Sequence, residues 1–145
     1  MYRTIVVGVT NRQTALVATE HALQVARASD ADVHLVYAID RVGSPSGTTA
    51  RRHAEGLLDA LSLARPQSIE VHVVADRPDR AILDVAAHAG ADLIVIGNQG
   101  VAGANRVSSA PAARVIRGAR CSVLLVDTNA VPDIPELVRE SDAKD

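Results

Sequence analysis

The sequence predicts an α/β domain with a five-stranded parallel sheet in the order 3-2-1-4-5 and helices on both faces. Five short segments rich in Val, Ile and Leu alternate with four segments whose apolar residues recur at helical spacing. This alternation favours a parallel sheet, because each helical crossover carries the chain from the carboxyl edge of the sheet back to the amino edge, where the next strand begins. Right-handed crossovers leave few strand orders. A length of 145 residues fits one domain.

The apolar segments that predict strands differ in how completely they would be covered by helices. Ile5 to Val9 is continuously apolar, which indicates a central strand buried on both faces. Ile69 to Val74 alternates instead, as expected of a half-exposed edge strand. The five predicted strands cover residues 5–9, 33–38, 69–74, 92–97 and 122–126.

The segments between the strands predict helices with clear boundaries. Pro66 should stop the second helix, and Pro111 fits the first turn of the fourth, because proline has no N–H to donate. The predicted helices cover residues 13–29, 48–64, 80–90 and 111–118. The domain is therefore expected to span residues 1–126, followed by an acidic, flexible tail over residues 127–145.

Composition excludes several classes of function. Fifteen Lys and Arg stand against seventeen Asp and Glu, so no dense basic patch is available for nucleic acid. No segment approaches the roughly 20 apolar residues that span a bilayer, so we expect no membrane contact and a cytoplasmic location. Cys121 is the only cysteine, which excludes an internal disulfide or a multi-cysteine metal site. It is interpreted as a small core residue beside a strand.

The histidines give no sign of catalysis or of a metal site. They are distributed over predicted helices and strands, and no two have the i, i+4 spacing of a helical metal motif. We therefore predict no catalytic residue and no metal ligand. The residues concerned are His21, His34, His53, His72 and His88.

The segment from Ala91 to Gly100 resembles the stretch that identifies universal stress proteins. Pro78 to Leu83 before it and Cys121 to Val126 after it are also similar to that family, and the likeness covers residues 2–126. The resemblance implies the Rossmann-like fold of the adenine-nucleotide α-hydrolases and a role in the stress response. It also implies a homodimer formed through the last strand, residues Ser122, Val123, Leu124, Leu125 and Val126.

Nucleotide-binding members of that family bind the phosphates of ATP with a glycine-rich sequence pattern. It consists of a glycine, two residues of any type, a second glycine, nine residues of any type, and then a glycine followed by Ser or Thr. Gly97 and Gly100 match the first half of this pattern, but Ala110-Pro111 stands where the second half falls. Shifting the alignment places Ser109-Ala110 or Ser108-Ser109 there, which recovers a hydroxyl but never the glycine. A side chain would then stand where the backbone must approach phosphate closely.

The first loop departs from the family pattern as well, because Thr10 replaces the Asp that usually follows strand 1 and orients adenosine. If nucleotide binding is retained, its phosphates would meet backbone amides and the start of a helix at this edge of the sheet. For the serines, capping of that helix is the favoured interpretation, whereas Gly97 and Gly100 are interpreted as the rim of a pocket rather than as simple turn residues. The candidate nucleotide-binding residues are Val9, Thr10, Ala38, Gly97, Gly100, Gly103, Ser108 and Ser109.

The resemblance implies two alternative functions. The first is a regulatory homodimer of the stress response with weakened or absent ATP binding and no enzymatic activity. The alternative is a functional binder of ATP, AMP or cyclic AMP that uses the Gly97 to Gly100 loop, with slow ATP hydrolysis left open. No certain cofactor is predicted, and a further protein partner is left open.

Overall fold

The computed structural model describes residues 1–9, 12–39, 47–60, 68–98 and 110–127. The predicted alternation of strands and helices is confirmed. The elements in chain order are β1 Thr4–Val9, α1 Arg12–Ser29, β2 Asp32–Ala38, α2 Gly47–Ala60, β3 Ile69–Val74, α3 Pro78–Ala89, β4 Leu93–Asn98, α4 Ala110–Gly118 and β5 Ser122–Asp127.

Some boundaries differ from the predicted ones for physical reasons. Helix α3 begins at Pro78, earlier than predicted, because proline is well tolerated in the first turn. It ends where Gly90 adopts a left-handed conformation with φ of 66°. Asp127, assigned to the tail from the sequence, pairs with β4 as the last residue of β5. The remaining tail and residues 61–64 of the second predicted helix lie outside the described residues.

The five strands form one parallel sheet in the order β3-β2-β1-β4-β5, as predicted. The register places Val7 of β1 between Leu35 of β2 and Val95 of β4. All three side chains are fully buried. The continuously apolar β1 is thus the central strand, and the alternating β3 is an edge strand.

The core lies in two layers, one on each side of the sheet. Ile5 and Val7 pack with Leu23 of α1 on one side. Val6 packs with Ile82 of α3 and with α4 on the other side. This division follows from the period of two along a strand, which sends neighbouring side chains to opposite faces. None of the described helices is long and apolar enough to cross a bilayer.

At the amino edge of the sheet, Asp92 precedes β4 and connects it to the start of β1. Its carboxylate accepts hydrogen bonds from the backbone amide of Arg3 at 2.9 Å and from that of Thr4 at 3.0 Å. Burial alone would raise the pKa of Asp92, but these amides and the N-terminal ammonium outweigh it and hold the pKa below its usual value. Asp92 therefore has a structural role at the edge opposite the predicted ligand site.

Replacing Asp92 by Asn should lower the free energy of unfolding by about 1 kcal/mol at pH 7, because a neutral amide is a weaker acceptor than a carboxylate. The carboxylate contributes fully above the pKa of the unfolded chain, about 3.9. Its contribution is lost as the pH falls through the lower pKa of the folded protein. Urea unfolding at pH 7 and at successively lower pH should show the difference between the two proteins shrinking. A difference independent of pH would contradict this account.

Candidate functional site

The carboxyl edge of the sheet contains a topological switch point between β1 and β4. The chain leaves β1 through α1, which packs on one face, and leaves β4 towards α4, which packs on the other. The two strands are paired in register, with Gly8 opposite Ile96, so they end side by side. The crossovers diverge there, and open α/β sheets usually bind ligands beyond the strand ends at such a point.

The predicted site residues that the structure describes lie at this edge. Val9 is the last residue of β1 and Ala38 the last of β2, and Gly97 is the penultimate residue of β4. Val9 is only 6% exposed, and Gly97 is buried in register with Val126 of β5. The structure therefore brings three of the candidates to one edge. Thr10, Gly100, Gly103, Ser108 and Ser109 lie outside the described residues.

Helix α4 follows the glycine-rich loop and begins at Ala110, with Pro111 in its first turn. Its amino end faces the carboxyl edge of the sheet, because the helix follows the carboxyl end of β4. Free amides in the first turn of a helix attract anions. Pro111 contributes no amide, and Ala110 carries a Cβ where the family's phosphate pattern has glycine. The first turn contains no acidic residue that would repel an anion.

Sequence reasoning missed a buried carboxylate near this edge. Asp79, in the first turn of α3, is only 5% exposed. It forms an ion pair with Arg77 at 3.2 Å and approaches Arg114 of α4 at 4.0 Å. Asp79 thus links the start of α3 to α4, whose amino end faces the carboxyl edge of the sheet. The Pro-Asp pair that opens α3 is the signal that could have revealed it.

A family model described as the universal stress protein family matches residues 1–127. The chain belongs to this family. A curated universal stress protein of Methanocaldococcus jannaschii is 30% identical, and the match covers 87% of this chain and 82% of the relative. The resemblance inferred from Ala91 to Gly100 is therefore confirmed.

Solved structures of universal stress proteins have the same fold. One, described as a complex with cAMP, is 32% identical with a TM-score of 0.71, and the match covers 88% of this chain and 98% of that one. Another, from Archaeoglobus fulgidus in complex with dAMP, is 22% identical with a TM-score of 0.63, and the match covers 88% and 98% of the two chains. The second likeness shows the fold alone.

Two of the five histidines, both on predicted strands, are neighbours in the structure, a contact that sequence reasoning missed. His34 Nδ1 and His72 Nε2 lie 2.8 Å apart, beside the carboxylate of Glu70. They meet because the β2–β3 register places His34 opposite Glu70, and His72 follows on the same face. Burial lowers the pKa of His72, with Glu70 opposing and the charges of His34 and Arg51 adding to the effect. The alternating pattern of β3 was the available signal, but it required knowledge of the register.

Cys121 lies immediately before β5 and is partly rather than fully buried. Burial raises the pKa of its thiol, and the nearby charge of Asp92 raises it further. A raised pKa keeps the group protonated and weakly nucleophilic at neutral pH. The side chain packs against the α3 and α4 layer of the core. These observations agree with a packing role beside the strand.

Proposed function

We propose that this protein is a regulatory homodimer of the stress response that binds an adenine nucleotide with a single phosphate, cyclic AMP or AMP, and binds ATP weakly. The observation that carries the proposal is the start of α4 at Ala110-Pro111. A triphosphate needs more anion donors than a single phosphate, and this helix start offers fewer than the family pattern. The role proposed is binding, without a catalytic step, and the cytoplasmic location stays a prediction.

Three further observations support a retained nucleotide site. Val9 and Gly97 lie at the carboxyl edge of the two strands that flank the switch point, the usual ligand position in such sheets. The 32% identical structure is described as a complex with cAMP, which has one phosphate. Gly97 and Gly100 keep the first half of the family's phosphate pattern. A site that keeps the first half of this pattern and lacks the second is suited to binding one phosphate.

Isothermal titration calorimetry with cyclic AMP tests whether the site lies at this loop. We expect one nucleotide per chain, and at least a tenfold loss of affinity in Gly100→Val, because a branched side chain would obstruct close approach of the phosphate to the backbone. His21→Gln is the matched control, since His21 lies on α1 and its ring donates a hydrogen bond to the carbonyl of Val17. Absence of binding to cyclic AMP and AMP, or equal binding by Gly100→Val, would overturn the proposal.

The proposed homodimer uses β5, which forms one edge of the sheet. Among the described residues β5 pairs with β4 alone. Val123, Leu124 and Leu125 remain partly exposed in the single chain. An apolar edge strand favours association with a second chain. This agrees with the pairing that the family resemblance implies.

Replacing Val123 by Lys should shift the protein from dimer to monomer, because the interface would have to bury an ammonium group. Sedimentation equilibrium of the two proteins at equal concentration measures the change. Val73→Lys is the matched control, since Val73 is a partly buried residue of the other edge strand, β3. A monomeric unmodified protein, or a dimer that survives Val123→Lys, would contradict the interface.

A further inference from the structure

A cleft with a volume of about 370 Å³ lies between the β2–β3 edge of the sheet and α3. Its polar lining consists of His34, Glu70, His72, Asp84 and His88. The clustered side chains lie on β2 and β3, whereas the proposed nucleotide site is centred on the switch point between β1 and β4. The cleft is therefore a separate site.

Three potential ligand atoms converge on one side of this cleft. His34 Nδ1, His72 Nε2 and Glu70 Oε2 are separated by 2.8, 3.6 and 4.0 Å. A point equidistant from three atoms so placed lies about 2.1 Å from each. Zinc binds imidazole nitrogen at about 2.0 to 2.1 Å and carboxylate oxygen at about 2.0 to 2.2 Å. A metal ion at that point would lie within bonding distance of all three atoms.

We propose that His34, Glu70 and His72 form a binding site for a divalent transition metal ion, with zinc as the preferred ion. Two imidazoles and one carboxylate are a donor set that zinc favours, whereas calcium and magnesium prefer oxygen ligands throughout. The ion replaces the direct hydrogen bond between the two imidazoles. Only His34, Glu70 and His72 meet the geometry of such a site among the residues that the structure describes.

His88 of α3 is placed to supply a fourth ligand. It lines the same cleft, and its Nδ1 donates a hydrogen bond to the carbonyl of Asp84 at 2.8 Å. This bond leaves Nε2 unprotonated when the ring is neutral. Metal-binding histidines commonly have this arrangement, in which the second ring nitrogen donates to a carbonyl or carboxylate. His88 is exposed and lines the cleft, so it is the candidate fourth ligand of the proposed site.

The fold holds the three ligands on regular strands. His34 lies opposite Glu70 in the parallel register, and His72 is the next residue of β3 on the same face. The imidazoles are mostly buried, with side-chain exposures of 17% and 27%. Ligands on strands are held more precisely than ligands on loops, which favours metal binding. Bound zinc would cross-link the edge strand β3 to β2.

Calorimetric titration of zinc into tag-free, chelator-treated protein tests the proposal. We expect one zinc ion per chain with micromolar affinity, and an affinity lowered about hundredfold in His34→Gln and in His72→Gln, since each loses one of three ligands. His21→Gln should bind zinc like the unmodified protein, because its ring lies on α1. Cobalt titrated in place of zinc should produce visible absorption bands of a tetrahedral site in the unmodified protein and in His21→Gln.

Thermal unfolding keeps the test informative if a variant is destabilised. Zinc should raise the melting temperature of the unmodified protein and of His21→Gln, and should not raise that of His34→Gln or Glu70→Gln. Far-UV circular dichroism establishes that each variant is folded before titration. Binding weaker than about 1 mM, or unchanged zinc affinity in folded His34→Gln and His72→Gln, would overturn the proposal and leave the imidazole pair as a structural hydrogen bond.

Discussion

Replacing Ala110 by Gly and Pro111 by Ser should raise the affinity for ATP by about ten- to hundredfold. The double substitution restores an amide, a hydroxyl and a bare backbone position in the first turn of α4. One hydrogen bond to a charged group contributes about 1.5 to 3 kcal/mol, which corresponds to this range of affinity. Calorimetric titration with ATP and magnesium measures the gain.

The same titration separates the effect on phosphates from a general effect on the helix. Affinity for cyclic AMP should change by less than about threefold, because a single phosphate already meets its donors at the Gly97 to Gly100 half of the pattern. Ala113→Ser is the matched control, as it adds a hydroxyl to α4 beyond the free amides of the first turn. If ATP affinity stays the same in the double variant, the start of α4 does not limit triphosphate binding.

Replacing Gly8 by Ala should lower the free energy of unfolding by about 1 to 3 kcal/mol, the usual cost of overfilling a core. A Cβ at position 8 would collide with Cδ1 of Ile82 and lie 2.7 Å from its Cγ1. Ile82 is 1% exposed, so it has little room to move. Gly8 therefore allows α3 to approach β1 closely. Urea unfolding measures the loss.

Two further variants identify the cause of that loss. The substitution Ile82→Val, which removes Cδ1, should partly restore stability when combined with Gly8→Ala, so that the two effects are not additive. Gly56→Ala is the control, because a Cβ there meets nothing within 4 Å and α2 should gain about 0.5 to 1 kcal/mol. Additive losses from Gly8→Ala and Ile82→Val would show that the close contact is not responsible.

The sheet could be predicted because the pattern of apolar residues in each strand shows whether one or both of its faces are buried. The unbroken apolar run of Ile5 to Val9 indicated a strand covered on both faces, and the alternation of residues 69–74 indicated an edge. The start of α4 followed from Pro111, whose missing N–H suits a first turn. These are local properties, so no knowledge of the register was needed.

The contacts missed from the sequence all join residues far apart in the chain. His34 meets His72 only because β2 and β3 pair in one particular register, and a shift of one residue would send their side chains to opposite faces. Asp79 approaches Arg114 only because α3 and α4 pack against each other. Neither contact follows from periodicity or spacing along a single segment.

Comparison of the affinities of the unmodified protein for ATP and for cyclic AMP tests the central claim, that the phosphate site at the start of α4 is reduced. Both nucleotides are titrated calorimetrically at equal ionic strength, with magnesium present and absent. We predict that cyclic AMP binds at least tenfold more tightly than ATP, a difference of about 1.4 kcal/mol or more. Equal affinities, or tighter binding of ATP, would contradict the claim.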